Sequence, residues 1–413
     1  MRNMSHPPIA QSFIPFALPS IGEEEIDAVV ATMRSGWLTT GPRTKEFEQA
    51  FAAEVGARHA LAVNSATGGL HLAMEAVGIG ADDLVMTPTW TFTATAEVAR
   101  YLGAYPVFVD VEKDTLNIDV KNLEKRVVEL KREHGARLKA IAPVHFGGQA
   151  CEMDAILDIA EAHGLAVIED AAHAFPTTVT SRAVHHNERS SRKIGTVGHA
   201  TVFSFYATKT IATGEGGMVT TEDDALAQRI RLMRLHGISR DVWNRYTSAK
   251  PSWYYEVVAP GYKYNLTDIA AAMGLVQLGK AQLFQNRRAA IAQQYHAAFA
   301  VHPALEIPLQ RHVEDTHAWH LYVLRLNLER LTIDRNQFIH EMAERRVGCS
   351  VHFIPLHMQP YWRERYKLDP TTFPVATLEF ERVISLPIYP DMDDGMVQRV
   401  IGAVLEIADL FAF

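Results

Sequence analysis

Cysteine is scarce: the 413 residues contain two, Cys151 and Cys349, too far apart to suggest a disulfide framework. Long apolar runs are missing too, and none approaches the roughly 20 residues that a membrane span needs. The stretch from Met1 to Phe16 has prolines at 7, 8 and 15 in place of an apolar secretory core. Positive charge is not in excess. A net charge of -8 argues against general binding to nucleic acid or anionic membranes, while leaving room for a local basic pocket. No Gly-x-Gly-x-x-Gly follows the first strands, which excludes the usual dinucleotide fold, and no His-Glu-x-x-His spacing marks a metal hydrolase. His185-His186 is an isolated pair without supporting Cys or carboxylate spacing, so no metal site is expected. What survives is a cytoplasmic protein acting on small molecules.

The length suits two domains, and 48% hydrophobic with 21% charged residues is a globular composition. From about residue 58 to 235, short apolar runs alternate with amphipathic stretches. Ala60-Leu61-Ala62-Val63 leads into Leu70, Ala73, Met74 and Val77 at helical spacing, and further strands are expected at 107–109, 140–144, 165–170 and 201–205. The alternation predicts an α/β fold with a mainly parallel sheet covered on both faces, whose ligands bind at the carboxyl ends of the strands. The polar segment Thr177 to Lys193 reads as a surface loop. Beyond about 255, helices are expected at 268–281, 283–300, 334–346 and 393–410, with strands at 319–326 and 349–354. The expected division is therefore a large domain over 1–255 and a smaller α+β domain over 256–413.

Three segments could carry chemistry. Asn64-Ser65-Ala66-Thr67-Gly68-Gly69 joins a strand to a helix through small residues; free N–H groups there favour phosphate, although alone the pattern reads as an ordinary N-cap. Asp170, in Glu169-Asp170-Ala171-Ala172-His173, ends a buried strand. A carboxylate there needs a cation or donors, and a pyridinium nitrogen or a helix start both supply them. His173 fits either a cofactor contact or a structural histidine. In Ser204-Phe205-Tyr206-Ala207-Thr208-Lys209, an apolar strand delivers a lysine ahead of Gly214-Glu215-Gly216-Gly217; desolvation makes such an amine nucleophilic, whereas a lone lysine is usually solvated. Trp90 is an aromatic that could stack on a ring or pack in the core.

Taken in order, these pieces fit pyridoxal phosphate. The chain resembles the fold-type-I aminotransferases, and within them the DegT/StrS sugar aminotransferases, from about residue 14 almost to the end. The likeness is carried by Gly36-Trp37-Leu38-Thr39-Thr40-Gly41-Pro42, the Asp170 and Lys209 segments, His236-Gly237, Gly261-Tyr262-Lys263-Tyr264-Asn265-Leu266-Thr267-Asp268, and Val351-His352-Phe353-Ile354-Pro355-Leu356-His357. Among family members the 36–42 and 261–268 segments look most like those of 4-keto-sugar enzymes.

The resemblance implies an aspartate-aminotransferase-like fold with a seven-stranded type of sheet. It implies pyridoxal 5′-phosphate as cofactor, with pyridoxamine 5′-phosphate as its aminated form, held covalently at Lys209. Asp170 is expected at the ring nitrogen, His173 at the phenolic oxygen and Trp90 against the ring. Ser65, Ala66, Thr67 and Ser204 are expected at the phosphate, with Asn265 reaching it from the second subunit of a homodimer. Trp37, Thr39, Lys263, His352 and His357 are expected near a nucleotide-linked keto-sugar, with glutamate as amino donor.

Overall fold

The computed structural model describes residues 13–184, 186–239 and 254–413. In chain order the larger half contains α1 (Glu23–Arg34), α2 (Pro42–Val55), β1 (His59–Val63), α3 (Ala66–Ala76), β2 (Leu84–Pro88), α4 (Ala94–Tyr101), β3 (Tyr105–Val109) and α5 (Val120–His134). It continues with β4 (Leu138–Ile141), α6 (Met153–His163), β5 (Ala166–Asp170), β6 (Thr178–Ala183), β7 (His186–Lys193), β8 (Ala200–Ser204), β9 (Gly217–Thr221) and α7 (Asp224–Met233). Then follow α8 (Asp268–Phe299), β10 (Leu305–Glu306), β11 (Tyr322–Leu326), α9 (Arg335–Glu344), α10 (Pro360–Tyr366), α11 (Pro374–Arg382), β12 (Val383–Leu386) and α12 (Asp394–Leu410).

Among the described residues the main sheet has seven strands in the order β1-β9-β8-β5-β4-β2-β3. β9 runs antiparallel to both its neighbours, and the other pairings are parallel. Burial on both faces explains the unbroken apolar runs. Successive residues alternate sides: Ala62, Val167 and Phe203 join a core with Phe47, Phe51 and Ile156, whereas Leu61, Ile168 and Val202 join another with Leu70, Met74 and Ile230. Helix starts follow their capping residues. Asp119 accepts from the N–H groups of Lys121 and Asn122 ahead of α5, and Ser65 accepts from Gly68 N–H ahead of α3.

The smaller sheet, β10-β11-β12, is antiparallel and packs with the second half of α8, α9 and α12 around Tyr295, Phe299, Leu324, Phe338 and Val404. A further cluster containing Trp90, Phe108, Phe146, Val323 and Trp362 mixes residues of both sheets.

Three expectations need correction. The two helices expected over 268–300 are one, because no proline interrupts the pattern and neither Gly274 nor Gly279 breaks it. Its first half, to Phe284, packs in the large core, and from Ile291 onward it packs in the small one. We propose placing the domain boundary inside α8 rather than at 255/256. The expected loop 177–193 is the antiparallel hairpin β6–β7, with Val179, Ser181 and Ala183 facing inward. Its alternation is carried by small residues, so hydrophobicity did not reveal it. Arg182 pins it to Asp158 and Glu161 on α6. Finally, the 349–354 segment makes only an isolated bridge, Ser350 with Ser385, in place of a strand.

Candidate active site

The parallel strands end on one side of the sheet, and there a cavity of about 470 Å³ opens. β5 delivers Asp170, β8 delivers Ser204, and the turn after β1 delivers Ser65, Ala66 and Thr67; all five line the cavity together with Lys209, His173 and His352. Phe16, Phe92, Tyr206, His320 and Phe353 complete its aromatic walls.

Each group is set by its surroundings. Asp170 is 6% exposed; Thr95 donates its hydroxyl to Oδ2 at 2.6 Å and Ala172 N–H donates to Oδ1 at 3.1 Å. The carboxylate is thus fixed, with spare acceptor capacity and, among the described residues, no arginine or lysine bonded to it. Lys209 is pushed down to about 8, chiefly by burial, with Arg288 adding to the effect and Asp170 opposing it. Burial and the Lys209 and His352 charges hold His173 well below the usual imidazole range, so it is neutral. Its Nδ1 accepts from Gly147 N–H at 3.3 Å, which leaves Nε2–H as its donor.

At the start of α3, the first N–H groups lack intrahelical acceptors and face negative charge favourably. A side chain at Gly217 would put its Cβ 2.8 Å from the Ala66 nitrogen. Glycine there keeps β9 close beside this turn without covering it.

Other expected residues lie elsewhere. Trp90 is completely buried; its indole nitrogen donates to the His352 carbonyl at 3.0 Å and its ring meets Phe146 edge-on. It is a packing residue, and the exposed aromatics on the cavity wall are Phe92, two positions later, and Tyr206. His357 is also completely buried, bonded to Thr89 and Thr377 and stacked on Phe373. That removes it from the expected substrate contacts. Trp37, Thr39, Lys263 and Asn265 do not line the cavity of their own chain. Their two loops are joined instead: Asn265 Nδ2 donates to Thr40 Oγ1 at 2.6 Å, Lys263 Nζ donates to Asn265 Oδ1 at 2.6 Å, and Asp268 accepts from Gly41 N–H at 2.8 Å. The joined loops reach Asn64, whose N–H donates to the Tyr264 carbonyl one residue from cavity-lining Ser65. Of the His185-His186 pair, His186 is exposed on β7, and His185 lies outside the described residues.

Comparison with known proteins decides the family. The model of the DegT/DnrJ/EryC1/StrS aminotransferase family matches residues 19–405. The chain belongs to that family. It is 49% identical over 396 residues to the spore coat polysaccharide biosynthesis protein SpsC of Bacillus subtilis, covering 96% of this chain and 97% of the relative. Among solved structures, the putative sugar aminotransferase Spr1654 from Streptococcus pneumoniae, seen in PLP and PMP forms, superposes with a TM-score of 0.85 at 30% identity, covering 96% of this chain and 99% of that one. PseC of Helicobacter pylori, an aminotransferase of pseudoaminic acid biosynthesis, gives 0.84 at 28% identity, covering 97% and 100%. This DegT/DnrJ/EryC1/StrS member is thus an aminotransferase, and its structural neighbours include a putative sugar aminotransferase. Its cavity also fits the cofactor those neighbours carry: a buried amine to bind an aldehyde, a fixed carboxylate for a ring nitrogen, a neutral imidazole donor for a phenolic oxygen and an open helix start for a phosphate.

Proposed function

We propose that this chain transfers an amino group from glutamate to a nucleotide-linked 4-keto-sugar, using pyridoxal 5′-phosphate and acting as a cytoplasmic homodimer. The observation that carries the reading is the convergence of Lys209, Asp170 and the α3 start in one cavity. Amination at C3, or of a cyclitol, is the alternative within the same chemistry.

Bound at Lys209, the cofactor would withdraw electrons from the carbon bearing the amino group. The chain supplies the rest. Asp170 holds its charge against the ring nitrogen, Ser204, Ser65, Ala66 and Thr67 hold the phosphate, and His173 donates to the phenolic oxygen. Lys209, with its lowered proton affinity, takes the proton from the donor carbon and returns one to the acceptor carbon near neutral pH. Phe16, Phe92 and Phe353 shield the reacting atoms from water. Among the described residues the cavity wall contains no arginine for a donor carboxylate or a diphosphate. That lack supports a second copy whose 261–268 loop brings Lys263 and Asn265 to this site, and Trp37 and Thr39 accompany that loop through the Thr40 and Asp268 contacts.

The test is spectroscopic. Glutamate added to the purified protein should shift its visible absorbance to the near-ultraviolet, and the true keto-sugar nucleotide should restore it. Failure of every 4-keto substrate, with recovery by a 3-keto one, would reverse the regiochemistry. The correction at Trp90 is checked separately by cofactor titration. Trp90→Phe is expected to change cofactor affinity by less than about twofold, whereas Phe92→Ala weakens it about tenfold through loss of ring stacking. The opposite ranking would restore Trp90 to the ring.

A further inference from the structure

His320 belongs to no motif recognised in the sequence, yet it is the hydrogen-bond partner of Lys209: its Nε2 lies 3.4 Å from Nζ. The backbone is forced to present it. Trp319, just before it, has φ 48°, a left-handed conformation that a bulky side chain seldom adopts unless its surroundings impose it. Those surroundings are visible. The Trp319 ring stacks on His317 with centroids 3.9 Å apart, and Trp319 N–H donates to His317 Nδ1 at 2.8 Å. Arg288, 2% exposed, donates to the carbonyls of Trp319, His320 and Ile388 at 3.3, 3.4 and 2.6 Å. On the other side, Ala318 and Leu321 N–H groups donate to Gly148 and Gly147 carbonyls.

Packing alone does not account for the ring. Among the described residues His320 Nδ1 is buried without a hydrogen-bond partner, a state that native structures rarely tolerate where position serves no purpose. Burial, and after it the Lys209, His173, Arg288 and His352 charges, disfavour charge on His320, while Asp170 favours a charged Lys209. The imidazole is therefore neutral and able to accept.

We propose that His320 is a positioning residue for Lys209: its Nε2 accepts a hydrogen bond from the free Lys209 ammonium and so fixes where the transferred proton is held. The proposal rests on Lys209 being the covalent anchor. That premise is checked independently by borohydride trapping of pyridoxal phosphate on Lys209 in the wild-type chain.

The test compares the pH midpoint for acetylation of Lys209 by acetic anhydride, read by mass spectrometry, in the full-length cofactor-free protein. Loss of an acceptor from a charged donor should lower the midpoint by about one pH unit in His320→Leu. His320→Gln keeps an acceptor at similar reach and should return it to within about 0.3 units of wild type. In the loaded enzyme, the first half-reaction of His320→Leu should slow about tenfold with the glutamate KM within about twofold, glutamine restoring part of the rate. If the leucine variant does not fold, His320→Asn, whose shorter amide stops short of Nζ, should show the same fall. An unchanged midpoint in whichever of these variants folds, judged by near-ultraviolet circular dichroism, would reduce His320 to a packing residue and overturn the proposal.

Discussion

Replacing Lys209 by alanine is expected to leave a folded protein in which transamination falls by at least about 10⁴-fold, because one side chain serves as both covalent anchor and proton carrier. The loss should be chemical, not structural. Lys209 lines the cavity, has no ion-pair partner among the described residues, and touches the rest of the site through His320. Truncation therefore strands no buried carboxylate in an ion pair. Stopped-flow absorbance after adding glutamate is the measurement. The variant should still take up pyridoxal phosphate through the α3 start, Ser204 and Asp170, but with a spectrum near that of the free aldehyde. Retention of more than about 1% of the wild-type half-reaction rate would move the proton-carrying role to another group in the cavity.

The placement of that lysine shows what was legible in the sequence. Strand-end residues were readable because a covered parallel sheet leaves few alternatives: once β5 and β8 are recognised as buried runs, Asp170, Ser204 and Lys209 must emerge on the ligand side. The aromatic wall was not readable in the same way. Trp90 and Phe92 are two residues apart just beyond β2, where strand alternation has ended and neither period settles which ring turns inward. The indole found a carbonyl partner on the 352 loop, a contact between residues 262 positions apart that no local pattern reveals. The same holds for His357, whose two threonine partners come from separate parts of the chain. His320 was missed for a different reason. Its role comes from a strained turn and from Arg288 on α8, and neither leaves a periodic signal. The hairpin β6–β7 was hidden because its inward positions are Val179, Ser181 and Ala183, too small and polar to stand out.

Asp170→Asn is expected to fold normally and bind the cofactor, yet slow the glutamate half-reaction about 10²- to 10³-fold. The argument begins with the acceptor geometry. In the wild type, Thr95 and the Ala172 N–H each donate to one oxygen, and Thr91 orients the Thr95 hydroxyl at 2.8 Å. Both oxygens keep further lone pairs, so the carboxylate can also accept from a protonated ring nitrogen. An amide of the same shape has a single oxygen. If that oxygen accepts from Thr95 or Ala172, the group turned toward the ring includes N–H donors, and no negative charge remains to keep the ring nitrogen protonated. Electron withdrawal from the reacting carbon then weakens, and the proton that Lys209 must remove becomes less acidic. Charge and shape can be separated with a cofactor whose ring nitrogen is N-methylated and permanently positive. It should recover part of the lost rate in Asp170→Asn, since the protein no longer has to maintain the charge. A variant with wild-type rates, or one that the methylated cofactor leaves unimproved, would confine Asp170 to capping the Ala171-Ala172 turn.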